Sequence, residues 1–153
     1  MAKRRLDVRT ERLRLAAPFR ISGYVFEHMD AIVATVSENG HGGRGEASGV
    51  YYLGDELQHM LSTLEAHRAE IEDGIDRRQL QRLMPPGGAR NAIDCALWEL
   101  EASQAGQPAW RLAGLDAVKP LVTTFTLGAD DPAAMAEGAR DYAEAFVIDL
   151  VAA

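Results

Sequence analysis

Residues Pro85 to Leu112 read PPGGARNAIDCALWELEASQAGQPAWRL, and the fold follows from how this stretch is read. Ala89, Ala92, Ile93, Ala96, Leu97 and Leu100 recur at helical spacing on one stripe. Pro85, Pro86, Gly87 and Gly88 stop any earlier element from running into it. Gly106 and Pro108 end it, as Gly just past the last turn and Pro beyond it do. The stripe is rich in alanine, so another element is expected to approach this helix closely, with Ala96 leaving no room for a larger side chain. Cys95 is the only cysteine. It falls in the stripe region and is expected to be buried and reduced, with no disulfide framework possible within the chain.

Working outward towards the N-terminus, Arg4 to Leu15 predicts a strand. Leu6 and Val8 share one parity and Leu13 and Leu15 the other, which predicts a bulge near Thr10 and Glu11. Pro18 is expected to break this strand, with Phe19 to Asp30 a loop that flexes at Gly23. Ala31 to Val36 predicts a second strand, buried on both faces. Glu38-Asn39-Gly40 is a turn signal, and Arg44 to Ser48 predicts a third strand. Asp55 is expected to start a helix, with Gln58 completing a capping box, and Leu57, Met60, Leu61, Leu64 and Ile71 form its apolar face. Asp73 and Gly74 end it, and Arg77 to Leu83 predicts a short helix closed by Pro85. Three sequential strands and then helices make an α+β layer pair: a three-stranded antiparallel meander followed by a helical bundle.

Beyond Gly114 the pattern changes. Leu121 to Leu127 is a β-rich run ended by Gly128. Asp131-Pro132 starts a helix with an acid at the cap and Pro at the first position. Met135, Ala139, Tyr142 and Phe146 share one helical face, and Phe146 to Val151 is a second apolar run interrupted by Asp149. Strand, helix, strand is a βαβ unit with parallel pairing.

The chain has 153 residues and a net charge of −7. That is one ordinary domain, or one domain plus a fragment. The acidic balance argues against nucleic acid as a partner. The first twenty residues are the exception, net +5, which leaves −12 for the rest. A basic arm can meet phosphate or membrane; an edge strand protected by charge is the preferred reading. No apolar run of 18 residues and no signal-peptide core occurs, so a soluble cytoplasmic protein without membrane contact is expected. His28, His41, His59 and His67 have no ligand spacing, and no metal site is expected from them. Gly42-Gly43-Arg44-Gly45 lacks the flanking strand and helix of a phosphate loop and is read as a turn.

The run GGARNAIDCALWELEASQAGQPAWRLAG resembles the last long helix of the N-terminal capping domain in the enolase superfamily. The resemblance is to the muconate-lactonising and dipeptide-epimerase branch, and to Ala-Glu epimerase-like members within it. It rests on Ala89, Arg90, Ala92, Ile93, Asp94, Ala96, Leu97, Trp98 and Leu100, then Gly106, Pro108, Leu112 and Gly114, supported by PFRIS, GRGEA and TTFTLG. It implies a capping domain over residues 1–115. Residues 116–153 would then be the first strand, first helix and second strand of an incomplete TIM-like (β/α) barrel, where a full barrel needs about 250 residues.

The resemblance also implies a chemistry, proton abstraction beside a carboxylate with Mg²⁺ stabilising the enediolate and Lys bases on its two faces. The metal ligands and one base of that pattern belong to later barrel strands. The second strand should carry K-x-K, yet Val147 and Asp149 stand there, a one-residue slip aside, and no lysine follows Lys119. A carboxylate facing a carboxylate substrate without its metal is badly placed, so Asp149 is not taken as a base. No catalytic residue, metal ligand or cofactor is therefore assigned to these residues; Mg belongs to the full-length family.

Two specificity segments are implied, Phe19, Arg20 and Tyr24 in the first and Val50, Tyr51 and Tyr52 in the second. Arg20 pairs with a substrate carboxylate or is a solvated arginine. The tyrosines line an apolar pocket or pack on the helices. Thr124 and Thr126 share parity and could face a barrel interior. Three readings remain: a member of an isomerase lineage inactive as these residues alone, a non-catalytic self-associating domain, or one half of an enzyme completed by a separate chain. The expected partners are a second copy, in a homodimer or larger closed oligomer joined through residues 119–153, and a small carboxylate or dipeptide in a complete enzyme.

Overall fold

The computed structural model of the chain describes residues 4–21, 23–124 and 126–145. Three strands, β1 (Arg5–Ile21), β2 (Tyr24–Glu38) and β3 (His41–Ala47), form an antiparallel sheet in the order β1-β2-β3. A 3₁₀ turn (Tyr51–Leu53) follows. Then come α1 (Leu57–Ala66), α2 (Arg68–Glu72), α3 (Arg77–Leu83), α4 (Gly88–Gln104), α5 (Ala109–Leu112) and α6 (Pro132–Ala145). The chain divides into two units, 1–13 with 30–119 and 14–29 with 120–153.

In the first unit β2 and β3 are joined by a two-residue turn in which Asn39 (φ 50°) and Gly40 (φ 83°) both take positive φ, the type I′ geometry Asn-Gly favours. The register pairs Ile32 with Ala47, Ala34 with Gly45 and Val36 with Gly43. Those pairs share one face, and α4 lies on it. A Cβ added at Gly43 would run into the carbonyl oxygen of Ala96 and the nitrogen of Leu100. One at Gly45 would run into the carbonyl oxygen of Ala92 and come within 2.8 Å of the Cys95 Cβ. The segment expected to be a turn is thus a strand, and two of its glycines are the surface on which the α4 backbone rests. Ala89, Ala92, Ile93, Ala96, Leu97 and Leu100 are all buried, as the stripe predicts, against Leu6, Ile32, Val36, Met60, Leu64, Ile71 and Leu80.

Helix ends are satisfied in ways the spacing only partly foretells. The C-terminus of α4 closes with Gly106 N–H donating to Ser103 O (3.2 Å) and Gln107 N–H to Ala102 O (3.1 Å), the Schellman pattern that Gly106 announces. Asp55 does not cap the helix that follows it. α1 begins after Glu56 with no side-chain cap, while the Asp55 carboxylate accepts the Gly88 N–H of α4 at 2.6 Å. The capping box lies at α3 instead, where Asp76 and Gln79 exchange bonds. The single helix expected up to Asp73 is two, α1 and α2, divided at His67 (φ −111°, ψ 11°).

The N-terminal expectations need correction too. β1 continues through Pro18 to Ile21 rather than breaking, and the expected loop is the rest of β1 and the first half of β2. β1 has a neighbour on one side only, and Pro is tolerated on such an edge when its missing N–H would face outward. Arg20, which shares parity with Pro18, does face outward, since its carbonyl accepts the Ala129 N–H at 2.7 Å. β1 runs as one strand through Thr10 and Glu11, its buried or partly buried positions passing from Leu6 and Val8 to Glu11 and Leu15, and Leu13 is exposed.

In the second unit α6 begins where Asp131-Pro132 predicts, with Asp131 Oδ1 accepting from Ala133 (2.9 Å) and Ala134 (3.1 Å). Residues 121–124 and 126–127, expected as a strand, join no ladder. A parallel strand needs partners beside it, and among the described residues none lies there. The other expected strand, Phe146–Val151, lies outside the described residues.

The contact between β3 and α4 gives a direct test. Gly45→Ala is expected to cost about 1–3 kcal/mol through overpacking. Gly42→Ala, whose nearest neighbour would be 3.9 Å away, should leave the urea midpoint nearly unchanged. Equal midpoints for the two variants would show that the packed face is misassigned.

Candidate functional site

The residues singled out from the sequence fall into two groups, one in each unit. In the second unit Phe19 and Arg20 end β1 and Tyr24 opens β2. The loop after Leu127 lies against β1, where a Cβ at Gly128 would approach the Arg20 nitrogen at 3.3 Å and the Phe19 ring at 3.5 Å. Arg20 Nη1 stands 3.9 Å from Asp130 Oδ2, and the two side chains are 48% and 55% exposed. An ion pair this open contributes about 0–1 kcal/mol, so it is easily exchanged for another carboxylate. The other oxygen of Asp130 accepts the Asp131 N–H at 2.9 Å, which fixes the carboxylate at the mouth of the loop. A small cavity of about 170 Å³ adjoins it, bounded by Pro18, Leu127, Asp130, Ala134 and Met135 among others. Tyr24 stacks on Phe26 with ring centroids 6.1 Å apart. Thr124 and Thr126 are exposed.

In the first unit Val50 precedes the 3₁₀ turn and Tyr51, Tyr52 and Leu53 form it. Leu53 and Asp55 both donate to the Val50 carbonyl (3.0 and 3.2 Å), and Gly54 donates to Tyr51 O at 3.1 Å. The Tyr51 and Tyr52 rings meet edge to face with centroids 5.2 Å apart. Tyr52 is 70% exposed and Leu53 74%. Holding two such side chains in water forgoes about 1.5–3 kcal/mol of burial for each large apolar group. The turn is anchored by Asp55, whose carboxylate holds the start of α4. Leu53 and Asp130 had no signal in the sequence.

The polar motif residues of the central helix serve packing. Asp94 accepts from Gln81 Nε2 at 3.0 Å, and Arg90 donates to the Met84 carbonyl at 3.3 Å, so both tie α3 to α4. Arg77 forms a fork on Glu101 at 2.9–3.0 Å while its guanidinium lies 3.4 Å from the Trp98 ring centroid. Glu46 offers its backbone carbonyl to Asn91 at 3.3 Å. Among the described residues no three His, Cys, Asp or Glu side chains converge to hold a metal ion. No described helix is long and apolar enough to cross a membrane.

Cys95 is exposed, not buried as expected. It lies beside the stripe, with only its Cβ side against Gly45. Partial desolvation, and secondarily the charge of Asp94, push its thiol pKa up.

Comparison with known proteins places this geometry. Residues 3–114 match the family model for the mandelate racemase / muconate lactonizing enzyme N-terminal domain. The L-Ala-D/L-Glu epimerase of Escherichia coli (strain K12) is 30% identical over 136 residues, 89% of this chain and 42% of that protein. A solved enolase family member from Agrobacterium tumefaciens, with homology to dipeptide epimerases and with bound sodium and L-Ala-L-Glu, superposes with a TM-score of 0.86. The two are 36% identical over 92% of this chain and 43% of that one. A dipeptide epimerase from Methylococcus capsulatus, complexed with Mg and L-Arg-D-Lys, superposes at 0.78 with 29% identity, covering 94% of this chain and 44% of that one. The chain thus spans about 42% of the curated relative's length. The Mg of the relatives finds no donor set among the described residues.

The Cys95 environment predicts a rate. A raised pKa leaves less thiolate at a given pH, so iodoacetamide should alkylate folded Cys95 more slowly at pH 8 than an unstructured cysteine peptide. The difference should close as pH rises through the folded pKa, and Asp94→Asn should speed the reaction. Alkylation that appears only after unfolding would show the thiol to be buried after all.

Proposed function

This chain belongs to the mandelate racemase / muconate lactonizing enzyme family, and on that premise we propose that its residues are the substrate-gripping part of a dipeptide epimerase rather than its proton-transfer part. The observation that carries this reading is the exposed, easily exchanged Arg20–Asp130 pair. Stability gains little from it, and it is suited to a small acid. Arg20 takes the substrate carboxylate in place of Asp130, as charge-assisted bonds favour. The relatives carry dipeptides as different as L-Ala-L-Glu and L-Arg-D-Lys. Arg20 favours the acidic kind here.

Proton transfer is assigned to none of these residues. No lysine follows Lys119, and Val147 and Asp149 stand where the resemblance sets the expected bases, a one-residue slip aside. Removing a weakly acidic proton requires stabilisation that grows as the enediolate forms, and nothing here provides it. No step is routed through Mg²⁺, because the described residues do not fit it. The unladdered, exposed residues 121–124 support a reading in which further barrel strands, from this polypeptide or a separate one, complete the enzyme. The first 115 residues then act as the capping domain and the remainder as the barrel's opening segment. A cytoplasmic setting suits the single reduced thiol.

Two measurements test the proposal. The 153-residue chain with Mg²⁺ in D₂O should exchange no deuterium into the α-carbon of L-Ala-L-Glu above background, and metal-dependent exchange would overturn the assignment. In ¹H–¹⁵N spectra the same dipeptide should shift Arg20 and the neighbouring residues of its own unit, Asp130 among them. Arg20→Met should weaken binding about tenfold, in line with the loss of one charge-assisted contact, without moving Tm. Binding equal in both proteins would remove Arg20 from the site.

A further inference from the structure

β1 has β2 on one side only. At Leu6 the open side is already filled by α2. The Leu6 N–H donates to Glu72 Oε1 at 3.1 Å, and its carbonyl accepts from Arg68 Nη1 at 2.7 Å. Strand alternation therefore turns the N–H and C=O of Val8, Thr10 and Arg12 to that same open side, and those of Asp7, Arg9 and Glu11 towards β2. Outside the sheet, no described backbone group bonds to the main chain of Val8, Thr10 or Arg12. A groove of about 620 Å³ runs beside them, with Val8, Leu61 and Leu64 in its walls and Gln58, Glu65 and Arg68 at its rim.

Charged side chains protect an edge strand where like charges would meet across it. On the face of β1 that carries Arg5, Asp7, Arg9 and Glu11 the charges alternate, although Arg12 and Arg14 keep the segment net positive. Arg5 and Asp7 stand 3.7 Å apart, and Arg9 Nε donates to Glu11 at 2.9 Å. Such a row can meet itself favourably, depending on register.

We propose that the open edge of β1 pairs with β1 of a second copy, antiparallel, across a twofold axis at Thr10. The register follows from the groups that are free. Only outward-facing residues can exchange main-chain bonds, so the axis must pass through a residue and not between two. An axis at Val8 would require Leu6, whose groups are taken, and one at Arg9 sets Arg9 against the partner's Arg9. An axis at Glu11 sets Glu11 against the partner's Glu11, and one at Arg12 sets Arg12 against the partner's Arg12. At Thr10 the outward groups of Val8, Thr10 and Arg12 meet those of the partner's Arg12, Thr10 and Val8. Arg9 then faces the partner's Glu11, and Glu11 faces the partner's Arg9. Opposite charges directly across a ladder attract, and two threonines pair well. The partner's Arg12 lies opposite Val8, its guanidinium held by its own Asp30 as in this copy, where the two bonds are 2.7 and 3.0 Å. The occupant is thus a second copy, held by main-chain bonds and a double charge match.

Sedimentation equilibrium of the full chain should show a reversible monomer–dimer equilibrium, weak because the contact is small. Thr10→Pro removes only an outward N–H and should leave the circular dichroism and Tm in place while abolishing the dimer. Glu11→Arg should raise the dimer Kd at least about tenfold, and the swap Arg9→Glu with Glu11→Arg should restore it. The swap decides the matter even if the proline variant fails to fold. A wild-type chain that stays monomeric to about 2 mM would overturn the proposal. So would a dimer unmoved by both Glu11→Arg and the swap, which would place self-association elsewhere, as at residues 119–127.

Discussion

The backbone of α4 lies directly on the backbone of β3 at Gly43 and Gly45, and most of the first unit depends on that approach. Glycine inside a strand costs roughly 0.5–1 kcal/mol each relative to alanine. Here that cost is offset because any side chain at either position would enter the helix main chain. Close approach brings Ala92 and Ala96 onto the sheet and lets Ile93, Leu97 and Leu100 reach past it into the shared core. The same contact fixes the start of the helix. Gly88 sits against Met60 and Gly49, and its N–H is held by Asp55. The turn at Tyr51–Leu53, which carries the exposed aromatic side chains, is therefore fastened to the core by the helix it precedes.

The outer edge of β1 is closed by three different devices along its length. At Leu6 two side chains of α2 imitate a neighbouring strand, one accepting and one donating. At Pro18 there is no donor to satisfy. At Arg20 the carbonyl takes a bond from Ala129. Each is local and independent, so a strand of this length can remain at an edge without one long covering element. What is left open is short and carries charges of both signs, which sets the terms on which another strand could join.

The residues that hold the core together and the residues left exposed are different. On the central helix, Arg90, Asp94 and Trp98 bind α3 to α4. Arg20, Tyr52 and Leu53 are exposed and contribute little to the core. A substitution at such an exposed position changes stability by about 0.5 kcal/mol or less.

The sequence by itself determined the elements with strong local signals. The α4 stripe, its Schellman end at Gly106, the Asn39-Gly40 turn, the three-strand order and the start of α6 at Pro132 all depend on periodicity or on backbone freedom within a few residues. Tyr51 and Tyr52 were candidates only through the family resemblance, which sets a specificity segment after Glu46. Only tertiary structure decided the rest, because each remaining feature joins residues far apart in the chain. Asp55 caps α4 rather than α1, since the nearest unsatisfied N–H in space belongs to Gly88. The glycines of β3 are packing positions, since their neighbour is a helix encoded fifty residues later. Pro18 stays inside a strand, since β1 is an edge. Cys95 is exposed, since it stands one helical step off the buried face. Asp130 meets Arg20 through a fold-back of the chain that no local pattern announces.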